Sequence, residues 1–314
     1  MTLSTELDRY LAFRRNLGGA LRTDERILRR FVAFAGAEPD LKVSMGLIAA
    51  WLESLPAVSR QTQATRFRVT RLFAEWLHGL DPAHEPPPRG YLSSRATRPR
   101  PYIYGSEQVA AIIEEARNLP SVYGLRGLTC STLFGLIAVT GLRINEAISL
   151  DTSDFEVDSA VLHVRYGKLG KERILPLHNS VVAKLSEYCT ERDRLLGRSP
   201  DALFVTCKGI RFGDCGVRRN FALVCQHLGL RPIQRFGKHG RGPRIHDLRH
   251  TFAVRTMLEW YRTDADVSRE MMKLTTWLGH ASPAHTYWYI EAVPELLELA
   301  AARLSKTPFE EAAI

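Results

Sequence analysis

Apolar residues recur at helical spacing through residues 1–80. The run LDRYLAFRRNLG closes at the Gly18-Gly19 stop, and a fresh run, 23-TDERILRRFVAFAG-36, begins after it. In 59-SRQTQATRFRVTRLFAEWLHGL-80, Val69, Phe73, Trp76 and Leu77 fall on one stripe, while Arg60, Arg68 and Arg71 share an outer face. The period then breaks. Residues 81–103, DPAHEPPPRGYLSSRATRPRPYI, are rich in Pro, Arg and Ser and stiffened by 86-PPP-88, the composition of a linker. Such a pattern predicts a small helical domain over 1–85, a linker over 86–103 and a larger domain over 104–314.

In the larger part, 105-GSEQVAAIIEEA-116 reads as a helix that Ser106 can cap, and 126-RGLTCSTLFGLIAVTG-141 as a long apolar helix. Residues 155–178 alternate apolar and polar positions around a Gly-Lys-Leu-Gly turn, which predicts a β-hairpin with Lys168 at or near its tip. The rest reads as helical, ending in 294-PELLELAAARL-304 and a loose tail. The expected fold class is mainly α with a small antiparallel β-sheet.

Composition narrows the partners. A content of 45% hydrophobic and 25% charged residues is that of a soluble globular protein. No stretch of about eighteen apolar residues occurs, so no membrane partner is expected. The start, MTLSTELDRYLAFRR, lacks a signal-peptide pattern. Five cysteines, Cys130, Cys189, Cys207, Cys215 and Cys225, follow no CxxC spacing and read as reduced thiols in a cytoplasm, not a disulfide frame or a zinc site. Net charge is +9, and it is clustered. Residues 1–103 hold sixteen Lys and Arg against ten Asp and Glu; residues 207–244 hold nine against one. Two basic zones suggest a polyanion touched by both halves of the molecule, although a merely solvated basic surface would have the same sum.

Four places carry residues that core packing does not call for. In 140-TGLRINEAISL-150, Arg143 opens an amphipathic helix, with its guanidinium aimed at an anion or at Glu146. The hairpin tip, 167-GKLGKER-173, holds Lys168 and Lys171. In 244-RIHDLRHTFA-253, His246, Arg249 and His250 can share one helix face. The fourth, 278-LGHASPAHTYWYI-290, holds His280, Tyr287 and Tyr289. Each alone has a plain structural reading, as a salt bridge, a solvated lysine or packed aromatics. His246 and His250 could also begin a metal site, but no further ligand cluster is evident and Arg249 would repel a cation.

Taken together, the inventory suits displacement at a phosphodiester without a metal ion. Planar guanidinium forks match the non-bridging oxygens that gain charge in the transition state. A tyrosine can form a recoverable covalent intermediate. A lysine ammonium can protonate the leaving 5′-oxygen, and histidines can handle the tyrosine proton.

The ordered set TGLR-x-x-E, GK-x-G-K-E-R-x-x-P-L, H-x-L-R-H, and LGH with a tyrosine nine residues after its histidine resembles the tyrosine recombinases, the phage-integrase and Xer-type family. The match spans residues 140–290, and the basic helical N-terminal part looks like the family's SAM-like core-binding domain. The resemblance implies that Arg143 and Arg249 clamp the scissile phosphate and that His246 handles the proton at the tyrosine. It implies Lys168, with Lys171 as the alternative, as general acid, His280 as a phosphate donor and Tyr289 as nucleophile. Glu146 and His250 would support the site. Arg60, Gln63, Arg68, Arg71, Arg218 and Arg219 are the DNA-contact candidates. The implied reaction cuts and rejoins DNA through a 3′-phosphotyrosyl link, with no cofactor, metal or ATP. Its partner is double-stranded DNA carrying paired recombination sites. The protein would act as a homo-tetramer on DNA, monomeric or dimeric when free, or with sister recombinases. In place of the family's S-x-x-T-T-x-x-Y, this chain reads SPAHTYWY, and IEAVPELLELAAARL after the tyrosine departs from Xer-type members toward transposon-encoded ones. The rival readings are a type IB topoisomerase, a metal-dependent nuclease using His246 and His250, and a catalytically idle DNA-binding regulator.

Overall fold

The computed structural model describes residues 2–304 apart from 20, 37, 39, 93–99, 122–123, 166–171, 234–241, 264 and 281. The chain divides into two units, Met1–Pro99 and Arg100–Ile314.

The first unit is built from helices α1 (Leu3–Asn16), α2 (Arg22–Ala35), α3 (Met45–Ser54) and α4 (Arg60–Leu80). Thr2, Ser44 and Ser59 cap α1, α3 and α4 by accepting from backbone N–H groups of the first turn. Leu7, Leu28, Phe31, Ile48, Trp51, Phe73 and Leu77 close the core. The described part of the expected linker packs on this unit: the Tyr91 ring lies 5.8 Å from that of Phe67, and Leu92 rests on the core. Arg60 and Arg68 are exposed as expected. Arg71 is not. Its side chain is only 12% exposed and ion-paired with Glu75, the acid one turn further along the same helix.

The second unit begins with α5 (Ser106–Arg117), α6 (Leu125–Thr140) and α7 (Ile144–Ser149). Ser106 is the first helical residue of α5, not its cap; Gln108 Oε1 reaches back to the Gly105 N–H at 2.9 Å. The expected hairpin is part of a three-stranded antiparallel meander of β1 (Phe155–Glu156), β2 (Val161–Val164) and β3 (Arg173–Pro176), in that order. Then come α8 (Asn179–Leu196), α9 (Asp214–His227), α10 (Ile245–Arg262), α11 (Val267–Leu278), α12 (Ala284–Ala292) and α13 (Pro294–Leu304).

Two apolar clusters position the site. One surrounds α6, where Cys130, Leu133, Phe134 and Ile137 are fully buried among α5, α7, α8 and α9. The other joins α10 to α13 through Val254, Met257, Met271, Leu274, Leu278, Tyr289 and Leu296. Helix α10 also packs on α6, so its first turns face both. No helix among the described residues is long and apolar enough to cross a membrane.

Candidate active site

The last carbonyls of a helix have no partner within it, and they carry the negative end of its dipole. At the end of α11, three consecutive carbonyls each take a guanidinium. Arg173 Nε donates to Trp277 O at 2.8 Å, Arg249 Nη2 to Leu278 O at 2.7 Å and Arg143 Nη2 to Gly279 O at 3.0 Å.

The Glu146 carboxylate lies among the same three arginines. It accepts from Arg143 Nη1 at 2.6 Å, from Arg173 Nη2 at 2.8 Å and Nη1 at 3.2 Å, and stands 4.0 Å from Arg249 Nη1. The local sequence explains its place. Glu146 is the third residue of α7 and also accepts from the backbone N–H of Arg143, the cap residue. Burial by itself would raise the pKa of Glu146, but the Arg173 hydrogen bonds and the charges of Arg173 and Arg143 outweigh it and hold the carboxyl below its ordinary range.

Arg249 is 1% exposed, and its Nη1 donates to Gly141 O at 2.6 Å. Burial first, and the like charge of Arg143 second, pull its pKa down to about 9, so it remains cationic at neutral pH. Two glycines permit this crowding. Gly141 (φ +66°) and Gly279 (φ +62°) are left-handed, and a Cβ at Gly279 would stand 3.0 Å from Arg173 Nη1. Three guanidiniums around one carboxylate leave the cluster net positive, and Arg143 remains partly open to solvent at 23% side-chain exposure. An anion such as a phosphodiester fits that charge.

Helix α10 brings His246, Arg249 and His250 to one region, as the i, i+3, i+4 spacing predicts. Burial, then the cationic Arg249, Arg244, Arg143 and Arg218, push the pKa of His246 down to about 4, which leaves it neutral at pH 7. Its ring meets that of His250 edge-on, 4.6 Å between centroids. His250 Nδ1 is 2.7 Å from the Tyr289 hydroxyl, and both residues are buried. Tyr287 is 44% exposed where Tyr289 is 2%, so the two tyrosines of α12 face opposite ways. Their separation of roughly 200° at ~100° per residue requires it.

His280 Nδ1 lies 2.7 Å from Thr286 Oγ1, which itself accepts from Thr275 Oγ1 at 3.0 Å. The Thr286 hydroxyl thus holds the His280 ring through Nδ1. His285 is exposed, its ring 6.1 Å from that of His280.

The other candidates fall elsewhere. Lys168 and Lys171 lie outside the described residues, as do Arg235, Lys238 and Arg241 of the second basic zone. Arg60, Gln63, Arg68 and Arg71 belong to α4, in the first unit. On α9, Arg219 is exposed and Arg218 is hydrogen-bonded to Asp214 at 2.8 Å. Among the described residues no group of three or more His, Cys, Asp or Glu could hold a metal. Two residues that the sequence reading did not assign belong to the site: Arg173, the last letter of the quoted GKLGKER, and Thr286, hidden between His285 and Tyr287.

Residues 105–295 match the model of the phage integrase family. Integrase/recombinase y4rB of Sinorhizobium fredii is 35% identical over 310 residues, covering 97% of this chain and 98% of that protein. Tyrosine recombinase XerC of Rhodospirillum centenum is 29% identical, covering 88% of this chain and 78% of its own length. The integrase of transposon Tn1549, solved in complex with transposon right end DNA, superposes with a TM-score of 0.66 at 16% identity, covering 98% of this chain and 99% of that one. That last likeness is one of fold.

Proposed function

The chain belongs to the phage integrase family of tyrosine recombinases, and from that premise we propose that it exchanges DNA strands at paired specific sites on behalf of a mobile element. The observation that carries the chemistry is the anchoring of Arg143 and Arg249 on adjacent carbonyls immediately before His280, beside a tyrosine held by a histidine. Two oriented forks and a positioned imidazole are what a phosphodiester needs as charge builds on its non-bridging oxygens.

In the proposed step, Tyr289 Oη bonds to phosphorus as the P–O5′ bond breaks. The phenol proton passes to a histidine, and the leaving oxygen takes a proton, for which Lys168 is the candidate. A 5′-hydroxyl from a partner strand then attacks the phosphotyrosine and reverses each transfer. The bond energy stays in the link, so no nucleotide is consumed. Each chain supplies one such tyrosine and the exchange of two duplexes takes four cuts, which argues for four copies on paired sites. The arginines of α4 and α9 would contact phosphates and set register. Service to a mobile element draws support from the integrase/recombinase relative and the transposon integrase likeness.

Incubation with a nicked duplex from inverted repeats flanking the coding region, in EDTA and without ATP, is expected to yield a covalent protein–DNA band. Free cut ends that vanish with EDTA would point to a metal nuclease instead. Relaxation of supercoils lacking a paired site would favour a topoisomerase. Thr286→Val removes the hydroxyl that holds His280 through Nδ1. Cleavage should slow about tenfold, one hydrogen bond in the transition state, with DNA affinity unchanged. An unaltered rate would show that this hydrogen bond does not position His280 for the reaction.

A further inference from the structure

His250 was expected to support the site, with His246 as the group that handles the tyrosine proton. We propose that His250 is a catalytic residue, the base that receives the Tyr289 proton through Nδ1. The inference rests on the reading of Tyr289 as nucleophile, and goes beyond it by naming the acceptor.

His250 Nδ1 is within hydrogen-bond reach of Tyr289 Oη at 2.7 Å, inside the range a base requires. Both groups are buried, at 6% and 2% exposure, so bulk water does not compete for this proton. A phenol is a better donor than a neutral imidazole nitrogen, so the hydroxyl donates and Nδ1 accepts, with the ring hydrogen on Nε2. Packing fixes the ring. His246 lies edge-on at 4.6 Å, Trp288 at 5.9 Å and the Tyr289 ring at 5.4 Å. The nucleophile and its base also sit on two packed helices, α12 and α10, within one apolar cluster. His250 directly follows Arg249 in sequence, so the residue that binds phosphate and the one that takes the proton move as one unit.

The step balances. As Oη bonds to phosphorus and the P–O5′ bond breaks, the phenol proton moves to Nδ1 and gives an imidazolium protonated on both nitrogens. The anionic phosphate held by Arg143 and Arg249 offsets the new charge. When the partner strand's 5′-hydroxyl attacks, the same proton returns to the departing phenolate. His250 thus keeps one proton through cutting and rejoining, and no other reagent enters.

His250→Asn is the informative change, because the asparagine Oδ1 falls near the Nδ1 position and can accept the bond without taking the proton. Single-turnover cleavage of the nicked duplex is expected to slow by about a hundredfold or more, the usual size of general-base loss, with DNA binding retained. Replacing Tyr289 by 3,5-difluorotyrosine, whose phenol is more acidic, should restore about tenfold in His250→Asn, as a Brønsted relation for a missing base requires. His246→Asn should show no such rescue. Three results would overturn the proposal: cleavage by His250→Asn at the parental rate, slow cleavage that difluorotyrosine leaves unchanged, or rescue confined to His246→Asn. If the unaltered protein forms no adduct, the recombinase reading itself fails, an outcome distinct from any of these.

Discussion

Tyr289→Phe is expected to abolish the covalent DNA adduct, and Tyr287→Phe to leave it intact. The contrast is strong because the two residues lie two positions apart on one helix yet meet different surroundings. Tyr289 is buried with its hydroxyl on His250, while Tyr287 is nearly half exposed on the opposite side. Phenylalanine keeps the ring in the cluster that also holds Leu274, Leu278 and Leu296, so that cluster survives the change. What is lost is one hydrogen bond, worth about 1 kcal/mol, and for a unit of this size that lowers Tm by only a few degrees. The chemical loss is total, because without a nucleophile no phosphotyrosine forms. Denaturing gels after incubation with the nicked duplex give the readout, and thermal unfolding shows that the fold is intact. An adduct that persists in Tyr289→Phe would remove Tyr289 from the mechanism, and one that disappears in Tyr287→Phe alone would transfer the role.

Much of this site was legible in the sequence, for a physical reason. Residues suited to binding phosphate are of costly types, several of them here at helix starts, and a helix imposes its period on them. Arg143 at the cap of α7 and the His246-Arg249-His250 face of α10 follow from that period, which also sets Tyr287 and Tyr289 on different sides of α12; the preference for Tyr289 comes from the family resemblance, through its nine-residue offset from His280. Contacts between distant segments do not. That the end of α11 offers three carbonyls to three arginines depends on packing among α7, α10, α11 and β3, which no local pattern encodes. The sequence does not single out Arg173, because one arginine in a strand beside two lysines reads as a solvated edge; only the fold shows it hydrogen-bonded to Glu146. The same blindness made Arg71 look like an outward cation, when the acid one turn away claims it. His250 was read as a support because sequence gives spacing along a helix but not the bond its ring makes across to another.

Glu146→Ala should be among the most destabilising single changes in the second unit. Its carboxylate is 3% exposed and neutralises part of a cluster formed by Arg143, Arg173 and Arg249. Removing one partner of a buried ion pair leaves uncompensated charge and typically costs about 3–5 kcal/mol, which lowers Tm by on the order of 10 °C. A further change tests the cause. Arg173→Met in the Glu146→Ala background removes one stranded cation, so the double variant should be less destabilised than the sum of the two single ones. Acid should act in the same direction. The folded pKa of Glu146 lies below its unfolded value, so its contribution is full above the unfolded pKa and is lost as pH falls through the folded one. His246 adds to this at higher pH. With its folded pKa near 4 against an unfolded value of 6.5, the unfolded chain binds the proton first, and stability declines as pH drops through that window. Glu146→Ala should remove the lower part of this acid dependence and leave the upper part. Phosphate or sulfate should raise Tm more in Glu146→Ala than in the parent, since an anion that occupies the cluster supplies the missing charge. A variant that melts within a degree of the parent, with no gain from added anion, would mean that the three carbonyls of α11 hold the arginines without the carboxylate.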